Sequence, residues 1–319
     1  MVKISMFFDN NNNRRIMKKE ELKLKYDEQC KKILSYPRIL AYILKACVSE
    51  YNNLTIEEIE NLIEKDDKSN IKFNNVEDIS INNHKIVYDI FFRSRLPNNT
   101  KIGVLIDLES QSNINNGYDL INRAITYSSC LFVSQTKKKY IYRNLDKVYS
   151  IWICSDTRNN SKTDIFVYKT KRDSLFHSKR LVEDYELINI VCIYLGKDID
   201  ELMFSGTSSP YIDMLKILKS TITRNAKLED SNTLKMLKKD YNIIIEKEDI
   251  KNMCNFADAF EYDCIQQGMQ QGIINNAVNN INNLINNLNV SYDKAINILG
   301  IDESIRKEVL QSYKKKYKN

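Results

Sequence analysis

The sequence predicts an α/β protein, a mixed β-sheet flanked by helices and followed by a helical C-terminal region. Three observations predict it. Apolar runs rich in β-branched and aromatic residues, at IVYDIFFRSRLPNNTKIGVLIDLESQ (86–111), KVYSIWIC (147–154) and IFVYKT (165–170), read as strands. Segments with helical periodicity lie between and before them, giving the order helix–strand–strand–helix–strand. Beyond about residue 205 the pattern turns helical.

Taken in order, residues 1–16 are asparagine-rich and read as a disordered N-terminus. A helical region follows from about Lys18 to Lys65, interrupted near Pro37, with Ile33, Leu34, Leu40, Ile43 and Leu44 on an apolar stripe. Thr55 and Glu58 form a capping-box signature that opens a second helical segment. The hairpin at 86–111 comes next. After Gly117, Tyr118, Ile121, Ile125, Ser128 and Phe132 recur at steps of three and four, which places a helix against the sheet. ELINIVCIYLG (186–196) is a further apolar element after the strands at 147–154 and 165–170.

Ser209 and Pro210 supply an N-cap and a first-turn proline for a helix through Lys219. QQGMQQG is followed by Ile274, Ile281 and Leu288 at heptad spacing, which fits a short coiled-coil seam or a helix packed on its own domain. Ser291 caps a last helical pair broken at Gly300, which fits a helix-turn-helix or a plain packing unit. The expected division is therefore 1–16, a domain over 17–204, and a helical region over 205–319 that offers a route to a homodimer.

Composition narrows the function classes. A net charge of +6 permits an anionic partner without requiring one. The basic runs Lys137–Lys139, Lys179–Arg180, Lys238–Lys239 and Lys314–Lys316 read as solvated faces more readily than as phosphate grips. Seven scattered cysteines with no C-x-x-C pair argue against a disulfide framework and a zinc site, and for a reducing, cytoplasmic setting. Only His84 and His177 are present, so a histidine-rich metal site is excluded. No apolar run reaches the roughly 18–20 residues that cross a bilayer, and the N-terminus lacks a signal-peptide pattern, so no membrane association is expected. Neither a G-x-x-x-x-G-K-[ST] nor a G-x-G-x-x-G pattern occurs, which argues against nucleotide-driven and dinucleotide enzymes.

The chemistry sits in the hairpin. Strand interiors deplete Asp and Glu because a buried charge is costly unless paired or metal-bound. Yet Asp89 stands between Tyr88 and Ile90, and Asp107, Glu109 and Gln111 alternate with Leu108 and Ser110. If the hairpin folds about Asn99, Asp89 faces Glu109, and Asp107 and Gln111 share the face of Glu109. Two carboxylates so opposed repel unless a divalent cation lies between them, and hard oxygen donors suit Mg²⁺. From the residues alone two readings stand, a carboxylate metal site and the polar face of a half-exposed hairpin.

Several blocks then occur in one order: YD, IGVLIDLESQ, GYDLINRAITYSSCLFVSQ and LDKVYSIWICSD, with KYDEQCKKILSYPRILAYILKACVSEY upstream and MCNFADAFEYDCIQQGMQQG downstream. Together they resemble the PD-(D/E)XK nuclease-family transposases, relatives of the recombination-promoting nucleases, over roughly residues 24–300. The resemblance implies a restriction-endonuclease-like core and a divalent-metal-dependent DNA endonuclease linked to recombination or mobile elements. It matches Asp89 to the first catalytic acid and Glu109 to the second, both as metal ligands. Gln111 falls where most nucleases of the superfamily carry lysine, although glutamine is usual in this subfamily. Asp107 departs from the amide more often found there and adds a third acid.

The implied chemistry is phosphodiester hydrolysis with Mg²⁺, or another divalent cation, held by Asp89 and Glu109. Gln111 can orient a water but brings no positive charge, so slow or weakly specific cleavage is expected. Glu28, on the first helical region, is a candidate further ligand or a solvated helix residue. Arg123 is a phosphate contact or the partner of a nearby acid. Tyr127, Gln135 and Trp152 read as supporting positions. A retroviral-integrase-like transposase also uses acids and Mg²⁺, but its acids lie far apart, unlike the compact spacing of Asp89, Glu109 and Gln111. The remaining rival is a non-catalytic DNA-binding or oligomerising protein that keeps the fold.

Overall fold

A computed structural model describes residues 19–67, 70–73, 79–81, 84–86, 88–109, 120–135, 145–154, 162–170, 186–196, 198, 209–223, 228 and 230–317. One compact unit spans Lys23–Asn255, and a second contains Phe256–Asn319. The larger unit is built on a five-stranded sheet. Its strands are β3 (Ile90–Arg95), β4 (Lys101–Glu109), β5 (Lys147–Cys154), β6 (Asp164–Lys169) and β7 (Ile188–Tyr194), in the order β3-β4-β5-β7-β6. The pairs β4–β5 and β5–β7 are parallel, and the outer pairs β3–β4 and β6–β7 are antiparallel. A separate two-stranded ribbon pairs β1 (Ile79–Ile81) with β2 (His84–Ile86).

The central strands explain themselves. KVYSIWIC and INIVCIY are near-continuous apolar runs, and β5 is buried from Val148 to Cys154, as a parallel strand covered on both faces requires. β6 lies at the edge and exposes Phe166, Val167 and Tyr168.

One face of the sheet carries α4 (Leu120–Ser134). Ala124 and partly buried Tyr127 of this helix pack with Trp152, Cys154, Ile190 and Cys192, and Cys130 and Leu131 pack with Phe91 and Val148. Gly103 of β4 lets α4 come close, since a Cβ there would meet Leu131 Cδ2 at 3.4 Å. The expected stripe held at Ser128, which is fully buried, but Ile125 points outward and is 48% exposed.

Helices α1 (Lys19–Leu34), α2 (Pro37–Cys47), α3 (Ile56–Leu62) and α5 (Pro210–Ile222) gather on the other side. α2 starts on its proline and buries Ile39, Leu40, Ile43 and Leu44. Thr55 and Glu58 form the reciprocal capping box the sequence predicts. A short 3₁₀ turn, Ser49–Tyr51, ties this layer to the sheet. There the Tyr51 hydroxyl lies 2.8 Å from Ser94 Oγ, and Glu50 accepts from Tyr149 (2.6 Å) and Lys147 (3.0 Å). Burial alone would raise the Glu50 carboxyl, but those two donors hold it below its ordinary value.

The boundary lies later than the sequence suggested. α5, capped by Ser209 as expected, belongs with the sheet unit: Met214 Sδ meets Cys47 Sγ at 3.9 Å, and Ile222 O accepts from Tyr26 (2.9 Å). α6 (Ser231–Tyr241) and the first turns of α7 (Lys247–Leu288) fall in the same unit. Asp249 of α7 is 1% exposed and accepts from Lys32 (2.6 Å), Tyr36 (2.8 Å) and Gln29 (3.2 Å), which clamps α1.

In the smaller unit, α8 (Tyr292–Ile298) and α9 (Glu303–Tyr317) fold onto α7. Ile274, Ala277, Val278 and Ile281 are buried with Ala295, Ile296, Val309 and Tyr313. The heptad residues Ile274 and Ile281 are thus covered by the chain's own helices, while Leu288 is 60% exposed. Ser291 caps α8, and Gly300 adopts φ +59° in the turn after it. Among the described residues no helix is long and apolar enough to cross a membrane.

Candidate active site

The hairpin turn sets the geometry of the acids. Leu96 N donates to Thr100 O (2.7 Å), Asn99 N donates to Leu96 O (2.8 Å), and Asn99 adopts φ +66°. This is a three-residue loop, a type I turn with Pro97 at its favoured position followed by a left-handed residue. The strands therefore pivot on Asn98, not Asn99. The ladder pairs Ile90 with Ile106 and Arg95 with Lys101.

Continued one step, that register sets Asp89 across from position 107 and not from Glu109. The expected facing pair is corrected by two residues along β4. The ladder begins at Ile90, however, and Asp89 stands at a bend one residue before it. Tyr88 beside it packs under α4 with Phe91 and Tyr127, while Asp89 turns to α1.

Positions 107 and 109 lie on the face under α4, since 107 stands beside Trp152 and 109 beside Cys154 in the parallel β4–β5 ladder. Both acids lie at the carboxyl end of β4, where open α/β sheets place their ligand crevices. The side chains of Asp107 and Glu109, and all of Gln111, lie outside the described residues.

Asp89 itself is 22% exposed at its side chain, and its Oδ1 lies 2.6 Å from Lys31 Nζ on α1. Sequence reasoning missed Lys31. A contact between residues so far apart in the chain leaves no local pattern, and the only hint was its place one turn after Glu28 on a predicted helix. Glu28 is solvent-exposed.

Arg123 is held over two rings at the same face, 5.1 Å from the Trp152 ring centroid and 5.2 Å from that of Tyr127. Tyr127 also meets Tyr88 edge-on at 5.6 Å, beside Asp89. Trp152 is fully buried and donates from Nε1 to Ser150 Oγ (2.8 Å). Gln135 clamps the entry to β5, donating to Asp146 O (3.1 Å) and accepting from Asp146 N (2.7 Å). Asp146 in turn pairs with Arg93 at 2.5 Å. These aromatic and amide side chains brace the strands, as their supporting role predicts.

Asp89, Asp107 and Glu109 are carboxylates, hard oxygen ligands of the kind Mg²⁺ takes, so these residue types fit that cation in kind. Among the described residues, no group of three His, Cys, Asp or Glu side chains converges as a metal site. His84 lies in β2, and His177 falls outside the described residues. In comparisons with protein-family models, curated proteins and solved structures, nothing matches this chain.

Proposed function

We propose that this protein is a divalent-metal-dependent DNA endonuclease whose sheet is a restriction-endonuclease-like core. The observation that supports the reading is the β3–β4 register, which brings Asp89, one residue before the ladder, level with the carboxyl end of β4, where positions 107 and 109 lie. Carboxylates gathered at one end of a sheet favour a divalent cation between them. The blocks that resemble the PD-(D/E)XK nuclease-family transposases support the same assignment.

In this reading Asp89 and Glu109 hold Mg²⁺, which when bound acidifies a water and offsets charge on a phosphate. Asp107 adds negative charge that favours the cation. Gln111 orients a water through its amide. Arg123, held in place by Trp152 and Tyr127, offers a guanidinium to a DNA phosphate from the side of α4.

Supercoiled plasmid incubated with the protein in Mg²⁺ and in EDTA tests this. Nicking in Mg²⁺, absent in EDTA and reduced about 100-fold or more by Asp89→Ala and by Glu109→Ala, is expected. Plasmid binding with no metal-dependent nicking overturns it in favour of a non-catalytic DNA-binding protein.

A further inference from the structure

A site built from carboxylates repels the anion it must receive, so a phosphodiester needs a cation from the protein as well. The run VLIDLESQ (104–111) carries no Lys or Arg, and Gln111 is neutral. α1 brings one. Lys31 Nζ stands 2.6 Å from Asp89 Oδ1, with its side chain 34% exposed, so the ammonium is both at the site and open to solvent. An ion pair this exposed holds its partners loosely.

The backbone beneath Lys31 is fixed on both sides. Tyr26 and Cys30 point to Ile222 O, at 2.9 Å and 3.8 Å, and Gln29 and Lys32 reach Asp249. Only the four-carbon stem is left to swing. Arg123, by contrast, is pinned across two rings.

We propose that Lys31 is the phosphate-binding cation of this site, stored on the Asp89 carboxylate in the unliganded protein and transferred to a DNA phosphate when substrate arrives. The inference rests on the nuclease reading for its chemistry, but its binding step can be measured apart from catalysis.

The first experiment is duplex binding in EDTA, by fluorescence anisotropy across a salt series, for Asp89→Asn, Lys31→Met, Lys31→Arg and the Asp89→Asn combinations. Releasing Lys31 with Asp89→Asn tightens binding about fivefold and steepens the dependence of log K on log salt by about 0.9. Adding Lys31→Met removes most of that gain, and adding Lys31→Arg keeps it. If Asp89→Asn tightens binding equally with and without Lys31→Met, the effect is only a lost negative charge, and the proposal is overturned.

The second experiment is plasmid nicking in Mg²⁺. Lys31→Met lowers the rate about 100-fold, Lys31→Arg retains most of it, and Lys31→Met combined with Gln111→Lys recovers it. Wild-type nicking by Lys31→Met overturns the role of Lys31 and leaves the nuclease reading standing. Coupling in the binding cycle with no nicking by any variant leaves Lys31 as the phosphate cation and removes the nuclease reading. Thermal melting of each variant confirms that the fold is kept.

Discussion

Replacing Asp249 disconnects the helix that carries Lys31. This carboxylate is 1% exposed and accepts from Lys32, Tyr36 and Gln29 at 2.6, 2.8 and 3.2 Å. Asp249→Ala strips the acceptor from the Tyr36 hydroxyl, while the buried Gln29 amide keeps the backbone carbonyl of residue 249 at 3.3 Å. Each lost bond to a charged acceptor is worth about 1.5 kcal/mol or more. Lys32 is 59% exposed, so it returns to water and adds about 0.5 kcal/mol at most. The carboxylate's own desolvation, relieved in the variant, offsets part of this. The net loss is about 2 kcal/mol, which lowers the melting temperature of a unit this size by about 4–8 °C.

Asp249→Asn keeps an acceptor and loses the charge, and falls between the two. Burial alone would raise the Asp249 carboxyl, but the bonds from Lys32, Tyr36 and Gln29 outweigh it and hold the group below its ordinary value near 3.8. A carboxyl depressed by folding stabilises above its unfolded value and loses that contribution as pH falls through the folded one. The gap between wild type and Asp249→Asn is therefore full above about pH 5 and closes as pH drops below about 4. Urea titration across pH, followed by Trp152 fluorescence, measures it. A loss under about 0.5 kcal/mol for Asp249→Ala, or a gap that widens in acid, refutes the reasoning.

Further outcomes follow from the packing. Gly103→Ala places its Cβ in ordinary contact with Leu131 and Phe91 and changes stability by less than about 1 kcal/mol, whereas Gly103→Leu forces α4 off the sheet and costs about 2–3 kcal/mol; urea midpoints distinguish them. Trp152→Phe removes the donor to buried Ser150 Oγ and one ring under Arg123, and lowers stability by about 1–2 kcal/mol in calorimetry. Ile281→Ala, at a fully buried site of the helical unit, costs that unit about 3 kcal/mol while the Trp152 fluorescence midpoint stays put.

Much of the fold was legible because its signals are local. The period-two pattern and apolar runs marked β4 and β5 as strands and β7 as a further apolar element, and Thr55, Ser209 and Ser291 marked helix starts that the structure keeps. What escaped notice depends on partners distant in the chain. Nothing in the sequence of α5 announces that Met214 meets Cys47, so the sheet unit seemed to end near residue 204 when it runs to Asn255. Heptad spacing at Ile274 and Ile281 is the same whether the covering helix is another copy or α8 and α9. The hairpin pivot was misplaced by one residue because Asn98 and Asn99 both suit a turn, and only the left-handed φ of Asn99 fixes which one centres it. The acids were legible as candidates from their residue types, and Lys31 beside Asp89 was not.

The convergence of Asp89 and Glu109 on one divalent ion is open to a direct measurement. Fe²⁺ bound in place of Mg²⁺, with ascorbate and peroxide, cuts the backbone beside its own ligands, and the fragments map the site by mass spectrometry. Cuts clustered within a few residues of Asp89 and of Asp107–Glu109, suppressed by excess Mg²⁺ and lost in Asp89→Ala and Glu109→Ala, are expected. Cuts elsewhere, or cuts at the hairpin that survive both substitutions, contradict a metal site built on these acids.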